Sequence, residues 1–81
     1  MIDTITISEA LDFRGLACPL PIAKTAIALK AHQPGDVVEV LTTDPGSVPD
    51  FNAWCARTGN EMLESSVQDG VHRFVIRKAV R

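Results

Sequence analysis

Cys18 is the residue of this chain whose surroundings point most directly to chemistry. It begins the segment Cys18-Pro19-Leu20-Pro21. Proline is favoured at the first position of an α-helix, and the residue before a proline is kept out of the α region. We therefore expect Cys18 to be the N-cap of a helix, with Pro19 at its first position and Pro21 at its third.

A thiol at the start of a helix should ionise more easily than a free cysteine. The two prolines leave the N–H groups of Cys18 and Leu20 as donors, and together with the helix dipole they favour a negative charge on the sulfur. Arg14 would add a positive charge nearby. Because Leu20 also precedes a proline, the alternative is a helix that begins at Pro21, with Cys18 in the loop and a weaker dipole effect. The remaining alternative is a small buried cysteine at an ordinary helix start.

Cys55 has the pattern of a core residue. It shares an apolar helical face with Val48, Phe51 and Trp54, where a free cysteine behaves as a small hydrophobe. The two cysteines form no Cys-x-x-Cys motif, and neither histidine is near a cysteine in the sequence. We therefore expect free thiols, no metal site and no organic cofactor.

The composition indicates one ordinary globular domain over residues 1–81. The chain is 46% hydrophobic and 22% charged, with a formal net charge of −2. It lacks the basic excess of a nucleic-acid-binding domain, and we expect its basic C-terminal segment to be a solvated strand face. Because the N-terminus is acidic and no apolar run is long enough to span a membrane, we expect a cytoplasmic protein.

Hydrophobic periodicity and turn residues predict six elements, in the order β-α-β-α-β-β. The predicted strands cover residues 5–13, 37–42, 61–68 and 71–78, and the predicted helices cover 19–31 and 48–58. Ser47 is expected as the N-cap of the second helix, Gly59 as its stop and Asp69-Gly70 as a hairpin turn. The apolar arc of the first helix should comprise Ile22, Ala23, Ala26, Ile27 and Leu29, with Lys24, Thr25 and Ala28 opposite.

This order predicts an α+β fold, a two-layer sandwich with a mixed four-stranded sheet and both helices on one face. A right-handed crossover makes the first two strands parallel. Their C-terminal ends then lie at the same edge of the sheet, where both helices begin. Cys18 and the turn over residues 44–47 should therefore be neighbours in space.

The segment Leu11-Asp12-x-Arg14-Gly15-Leu16-x-Cys18-Pro19-x-Pro21 resembles the signature of the TusA/SirA-like family of sulfur-carrier proteins. The similarity continues through Pro34-Gly35-Asp36, Thr43-Asp44-Pro45-Gly46 and Ile76-Arg77-Lys78, and covers nearly the whole chain. The chain departs from many relatives at Asn60, where a histidine or tyrosine is common. That difference bears on the subfamily, because no known chemistry requires the side chain.

The resemblance implies that Cys18 accepts a sulfane sulfur as a persulfide from a cysteine desulfurase or a rhodanese-type donor. The sulfur then passes to a thiol of a partner such as a DsrE-like or TusD-like protein. Two routes are known for the family, tRNA 2-thiouridine synthesis and cytoplasmic oxidation of reduced sulfur compounds. Persulfide transfer needs an accessible, partly ionised thiol and a leaving thiol, which the Cys18 context suits.

Partners must reach Cys18 from the same edge of the sheet. We expect Arg14, Lys24 on the exposed side of the first helix, and Asp44 to frame the docking surface. The main alternative function is a non-catalytic, SirA-like regulatory or interaction module that uses this surface without sulfur transfer. RNA binding is the weakest hypothesis, because it needs a basic face with exposed aromatic residues.

Overall fold

The computed structural model describes residues 6–17 and 19–80, and these form a two-layer α+β sandwich. The elements are β1 (Glu9–Asp12), α1 (Leu20–Leu29), β2 (Val37–Thr42), α2 (Ser47–Thr58), β3 (Glu61–Gln68) and β4 (Val71–Arg77). The sheet order is β1-β2-β4-β3, with β1 and β2 parallel and the other two pairs antiparallel. This confirms the predicted mixed sheet with both helices on one face.

The core lies between the helices and one face of the central strands. Val38 and Val40 of β2 are opposite Ile76 and Phe74 of β4, and all four side chains are buried. They pack against buried residues of both helices, among them Phe51, whose ring stacks on Phe74 with centroids 4.8 Å apart. This apolar contact fixes α2 over the sheet.

The first helix is rotated relative to the predicted apolar arc. Its buried residues are Pro21, Thr25 and Leu29, whereas Ile27 and Ala23 are exposed. Thr25 was expected on the outer side, but its hydroxyl donates to the carbonyl of Pro21 at 2.7 Å. Because this bond satisfies the hydroxyl within the helix, the threonine can be buried at little cost.

The second helix and the hairpin follow the predicted pattern closely. Phe51, Trp54 and Cys55 are buried, and Gly59 ends α2 in the left-handed region with φ 83°. Asp69 and Gly70 both have positive φ, as a tight hairpin turn requires. The predicted N-cap is wrong by one residue: Gly46 is the N-cap, and Ser47 begins the helix.

The opposite face of the sheet carries Arg73 and Arg77 of the basic C-terminal segment. Arg73 pairs with both Glu39 and Glu64, and Arg77 pairs with Glu61. Val75 lies among these strands and is buried. The two arginines are thus neutralised by carboxylates of neighbouring strands, which agrees with the expected solvated strand face.

Polar contacts hold the end of the sheet at which β1 and β2 begin, which we name the far edge. The His32 ring bonds Glu9 at 2.8 Å and lies 3.4 Å from Asp36. Lys78 Nζ donates to the carbonyls of Leu29 and His32 at 2.7 and 2.6 Å, where α1 ends. An ammonium group at a helix C-terminus is favoured by the dipole as well as by these bonds.

No helix among residues 6–17 and 19–80 has the length and apolar character needed to cross a membrane.

Candidate functional site

The described residues between β1 and α1 lie at the edge of the sheet where β1 and β2 both end. Cys18 itself lies outside the described residues, but its neighbours Ala17 and Pro19 are exposed. The loop after β1 is tied to β2 by two bonds, from Phe13 N to Leu41 O at 2.8 Å and from Gly15 N to Thr43 Oγ1 at 2.9 Å. The predicted proximity of Cys18 to the turn over residues 44–47 falls on a residue outside the described ones and stays a prediction; the described part of the loop contacts Thr43, which directly precedes that turn.

The start of α1 differs from the prediction. Pro19 is the N-cap, Leu20 is the first helical residue and Pro21 is the second, so the prediction of Cys18 as N-cap is wrong by one residue. The alternative start at Pro21 is also not observed. The physical reason is that the Pro19 carbonyl already accepts the N–H of Ala23 at 3.0 Å, a bond that makes Pro19 the capping residue.

The backbone donors at this helix start are also used differently. The Leu20 N–H donates to the carbonyl of Ala17 at 3.0 Å, a bond that joins the described residues before and after Cys18. The amide that was expected to face the sulfur is thus engaged by a carbonyl. Pro19 and Pro21 still remove two N–H groups from the first turn, and Pro21 is buried against the protein, which anchors the helix start.

Arg14 forms a close ion pair within the loop. Its guanidinium donates to Asp12 Oδ1 at 2.8 Å and to Oδ2 at 2.7 Å. The side-chain bonds from Arg14, followed by a backbone bond from the same residue, lower the pKa of Asp12 to about 2. Asp12 therefore stays ionised at neutral pH and offsets the charge of Arg14. That Arg14 stabilises the Cys18 thiolate remains a prediction. Because Arg14 is paired with Asp12, its effect on the thiolate would be weaker than that of an unpaired cation.

Asp44 lies in the turn that precedes α2. Its carbonyl accepts the N–H of Ser47 at 3.0 Å. A Cβ at Gly46 would come within 3.2 Å of Asp44 Oδ2 and 3.8 Å of Asp50 Oδ2, so both carboxylates lie beside this glycine. Negative groups at a helix N-terminus are favoured by the dipole. Asp44 thus acts in the local structure at the start of α2, and its role in docking remains a prediction.

Lys24 lies on the exposed side of α1, as expected. Within residues 6–17 and 19–80 it forms no ion pair. The structure therefore leaves a cation on the helix that follows Cys18.

Among residues 6–17 and 19–80, no group of three histidine, cysteine, aspartate or glutamate side chains could hold a metal ion.

Cys55 is a core residue, as predicted. Its side chain is buried in the cluster formed by both helices and the sheet. Burial raises the pKa of the Cys55 thiol to about 11, because the low-dielectric core disfavours the thiolate. Cys55 therefore stays protonated at neutral pH and is a poor nucleophile.

Sequence reasoning missed two residues that shape this loop. Asp12 was not identified as the partner of Arg14, although a carboxylate two positions before an arginine in a turn is a usable signal. Thr43 was not identified as the residue that holds Gly15. That bond joins residues 28 positions apart, so no local pattern could have indicated it.

The fold and the site together define a small α+β domain in which the described residues between β1 and α1 lie at the edge of the sheet where β1 and β2 end. Residues 9–78 match the family described as Sulfurtransferase TusA, and the chain belongs to that family. It is 46% identical over 71 residues to the sulfur carrier protein TusA of Allochromatium vinosum, a match that covers 88% of this chain and 93% of that protein.

Two further relatives extend the likeness. The chain is 51% identical over 69 residues to a protein of Neisseria meningitidis serogroup A described as a candidate sulfur carrier, covering 85% of this chain and 93% of the relative. The crystal structure of a SirA-like protein from Desulfitobacterium hafniense superposes with a TM-score of 0.76 at 26% identity. It covers 88% of this chain and 97% of that one.

Proposed function

We propose that this protein carries sulfane sulfur as a persulfide on Cys18. The sulfur comes from a cysteine desulfurase or a rhodanese-type donor and passes to a thiol of a DsrE-like or TusD-like partner. The observation that carries the proposal is the contrast between the two cysteines. Ala17 and Pro19, on either side of Cys18, are exposed, whereas Cys55 is buried and protonated. Membership of the sulfurtransferase family supports the general role of sulfur carrier.

The transfer step needs no net oxidation or reduction. The Cys18 thiolate attacks the outer sulfur of the donor's persulfide, a sulfur–sulfur bond forms at Cys18, and the donor's own sulfur–sulfur bond breaks. The donor cysteine leaves as a thiolate and takes up a proton. Transfer to the acceptor repeats the same exchange, with Cys18 as the leaving thiolate. The chain would supply only a positioned thiol and surfaces on which both partners can dock.

Burial of Cys55 protects the carried sulfur in this scheme. A second accessible thiol could attack the Cys18 sulfur of the persulfide, releasing sulfide and leaving a disulfide. Cys55 is packed among Phe51 and Trp54 in the core, and its pKa of about 11 keeps it protonated. The persulfide would therefore persist until a partner thiol reaches it.

The site roles follow from the same proposal. Pro19 caps the helix that follows Cys18 in the sequence, Leu20 is its first residue and Pro21 anchors it. Arg14 would change the electric field at the Cys18 sulfur, and its pair with Asp12 weakens that effect. Lys24 and Asp44 would contact partners. We place the protein in the cytoplasm, because a reducing compartment keeps Cys18 available as a thiol. Either tRNA thiolation or sulfur oxidation would use this chemistry.

Mass spectrometry of the intact protein tests the proposal. The purified chain is incubated with a cysteine desulfurase and cysteine, and separately with a rhodanese and thiosulfate. We expect the mass of one added sulfur atom in the wild type and in Cys55→Ser, and none in Cys18→Ser. Absence of the added mass with both donors would contradict the proposal, as would a gain kept in Cys18→Ser and lost in Cys55→Ser.

The second candidate function is a non-catalytic regulatory or interaction module. The structural likeness to a SirA-like protein favours it, because the two proteins share the fold. This function predicts that Cys18→Ser leaves the cellular phenotype intact, whereas reversing the charge of Arg14 or Lys24 abolishes it. Loss of the phenotype in Cys18→Ser would instead support sulfur transfer.

A further inference from the structure

A cavity of about 200 Å³ lies between the two helices, beside the C-terminal end of α1. Its apolar walls come from Ala26 and Leu29 of α1 and from Trp54 of α2. Thr58 also lines the cavity, and its hydroxyl is already used in a bond to the Trp54 carbonyl at 2.8 Å. Since an apolar cavity of about 150 Å³ can hold a benzene ring, this space suits a small molecule with an apolar body.

The indole N–H of Trp54 is a hydrogen-bond donor that the protein leaves unused. Trp54 is only 6% exposed, and its indole nitrogen makes no hydrogen bond within residues 6–17 and 19–80. The nitrogen is not one of the fully buried atoms without a partner in these ranges, which are Thr42 Oγ1 and His72 Nδ1, so it can be reached from outside. A buried indole N–H usually finds a partner. Because Trp54 lines the cavity, a molecule bound there can supply the acceptor.

The other polar groups that line the cavity are also donors, and two of them are cations. Asn60 accepts the Ala79 N–H at 2.8 Å with its Oδ1, which leaves its amide NH₂ without a described partner. Lys78 uses two of its three N–H groups on carbonyls at the end of α1. Neither Lys30 nor Lys78 has an ion pair in the described part of the chain, and none of the described lining residues is acidic. The walls therefore present positive charge and N–H donors to a bound molecule.

We propose that this cavity binds a small carboxylate with an apolar body, of the size of an aromatic acid. The apolar part would lie against Ala26, Leu29 and Trp54, and the carboxylate would accept from the Lys30 ammonium and the free N–H groups. A bond between an ammonium and a carboxylate is stronger than a neutral hydrogen bond, so the charge should determine which molecules bind. None of the lining residues belongs to the loop that carries Cys18, so this binding does not depend on sulfur transfer.

Titration of the purified chain with sodium benzoate tests the proposed site. The chain has a single tryptophan, so the indole N–H signal in proton–nitrogen NMR spectra reports on Trp54 alone. We expect this signal to shift saturably, with a dissociation constant of about 1 mM or below. Acetate lacks the apolar body and benzyl alcohol lacks the charge, and each should bind about tenfold more weakly or worse.

Matched variants separate the site from the general charge of the protein. Lys30→Met keeps the alkyl stem and removes the cation, and we expect it to weaken benzoate binding about tenfold or more. Arg57 is exposed on α2, has no ion pair in the described ranges and does not line the cavity. Arg57→Met changes the net charge by the same amount and should bind benzoate like the wild type. Ala26→Leu fills the cavity without removing a donor and should abolish binding.

The backbone signals of the same spectra show whether each variant keeps the wild-type fold. The proposed site is wrong if benzoate causes no saturable shift of the Trp54 signal, or if benzyl alcohol binds as tightly as benzoate. It is also wrong if Lys30→Met binds benzoate like the wild type, or if Arg57→Met loses as much affinity as Lys30→Met. A Trp54 signal that moves with protein concentration and not with benzoate would assign the cavity to a second copy of the chain and would overturn the proposal as well.

Discussion

At the scale of single residues, two fully buried threonines differ in one respect that stability measurements can detect. The Thr25 hydroxyl donates to the Pro21 carbonyl, whereas Thr42 Oγ1 has no hydrogen-bond partner in the described part of the chain. A buried hydroxyl without a partner costs about 1–3 kcal/mol. We therefore expect Thr42→Val to raise the free energy of unfolding by about 1 kcal/mol.

Thr25→Val is the matched control, because it removes a hydroxyl of the same size and burial that is satisfied. We expect it to lower the free energy of unfolding by about 1 kcal/mol. Urea denaturation followed by circular dichroism measures both variants. Equal effects of the same sign would show that hydrogen bonding does not distinguish the two sites.

Thr25 also shows why periodicity misplaced the buried face of the first helix. Hydropathy counts threonine as polar and cannot register a hydrogen bond that its hydroxyl makes within the helix.

At the scale of elements, the left-handed residue that ends α2 has a measurable role. Gly59 has φ 83°, and its N–H donates to Cys55 O at 2.9 Å. A Cβ there would lie 3.8 Å from the Ala79 side chain, an ordinary contact. Gly59→Ala should therefore lower the free energy of unfolding by about 1–2 kcal/mol through backbone strain alone. Gly59→Asn should lose less, because asparagine tolerates this conformation. Thermal or urea unfolding of the two variants tests this, and an equal loss would contradict the explanation.

The helix boundaries show how far sequence patterns determine an element. The existence and type of α1 and α2 followed from periodicity, and the stop at Gly59 followed from residue type. The first residues did not, since α1 begins one residue later and α2 one residue earlier than predicted. Proline is compatible with both the N-cap and the first helical position, and here a backbone bond from Ala23 to Pro19 decides between them.

At the scale of the whole molecule, the order of elements was enough to predict the layers and the parallel pairing of β1 with β2. The position of β4 between β2 and β3 depends on contacts between distant residues and was not predicted. The same limit applies to the far edge of the sheet. His32 and Glu9 are 23 positions apart, and only the fold brings the ring and the carboxylate together.

This far-edge contact makes the stability of the molecule depend on pH. The hydrogen bond that the His32 ring makes to the Glu9 carboxylate raises the pKa of His32 above its ordinary value of 6.5; partial desolvation opposes this effect, and the nearby Asp36 carboxylate adds to it. The protonated ring is thus favoured in the folded state. Its contribution to stability is complete below the unfolded pKa and is lost as the pH rises through the folded pKa. The free energy of unfolding should therefore fall as the pH is raised above about 6.5.

His32→Gln isolates this effect from every other group that titrates in the same range. Glutamine keeps hydrogen-bonding capacity without a titratable ring, so the difference in unfolding free energy between wild type and variant should shrink as the pH rises from about 6 to about 8.5. Urea denaturation at closely spaced pH values measures it. Glu9→Gln should also flatten the pH dependence of the wild type, because the main cause of the shift is removed. A difference that stays constant across this range, or that grows with pH, would mean that His32 has no raised pKa in the folded protein and that the far edge is held by Lys78 and the strand pairing alone.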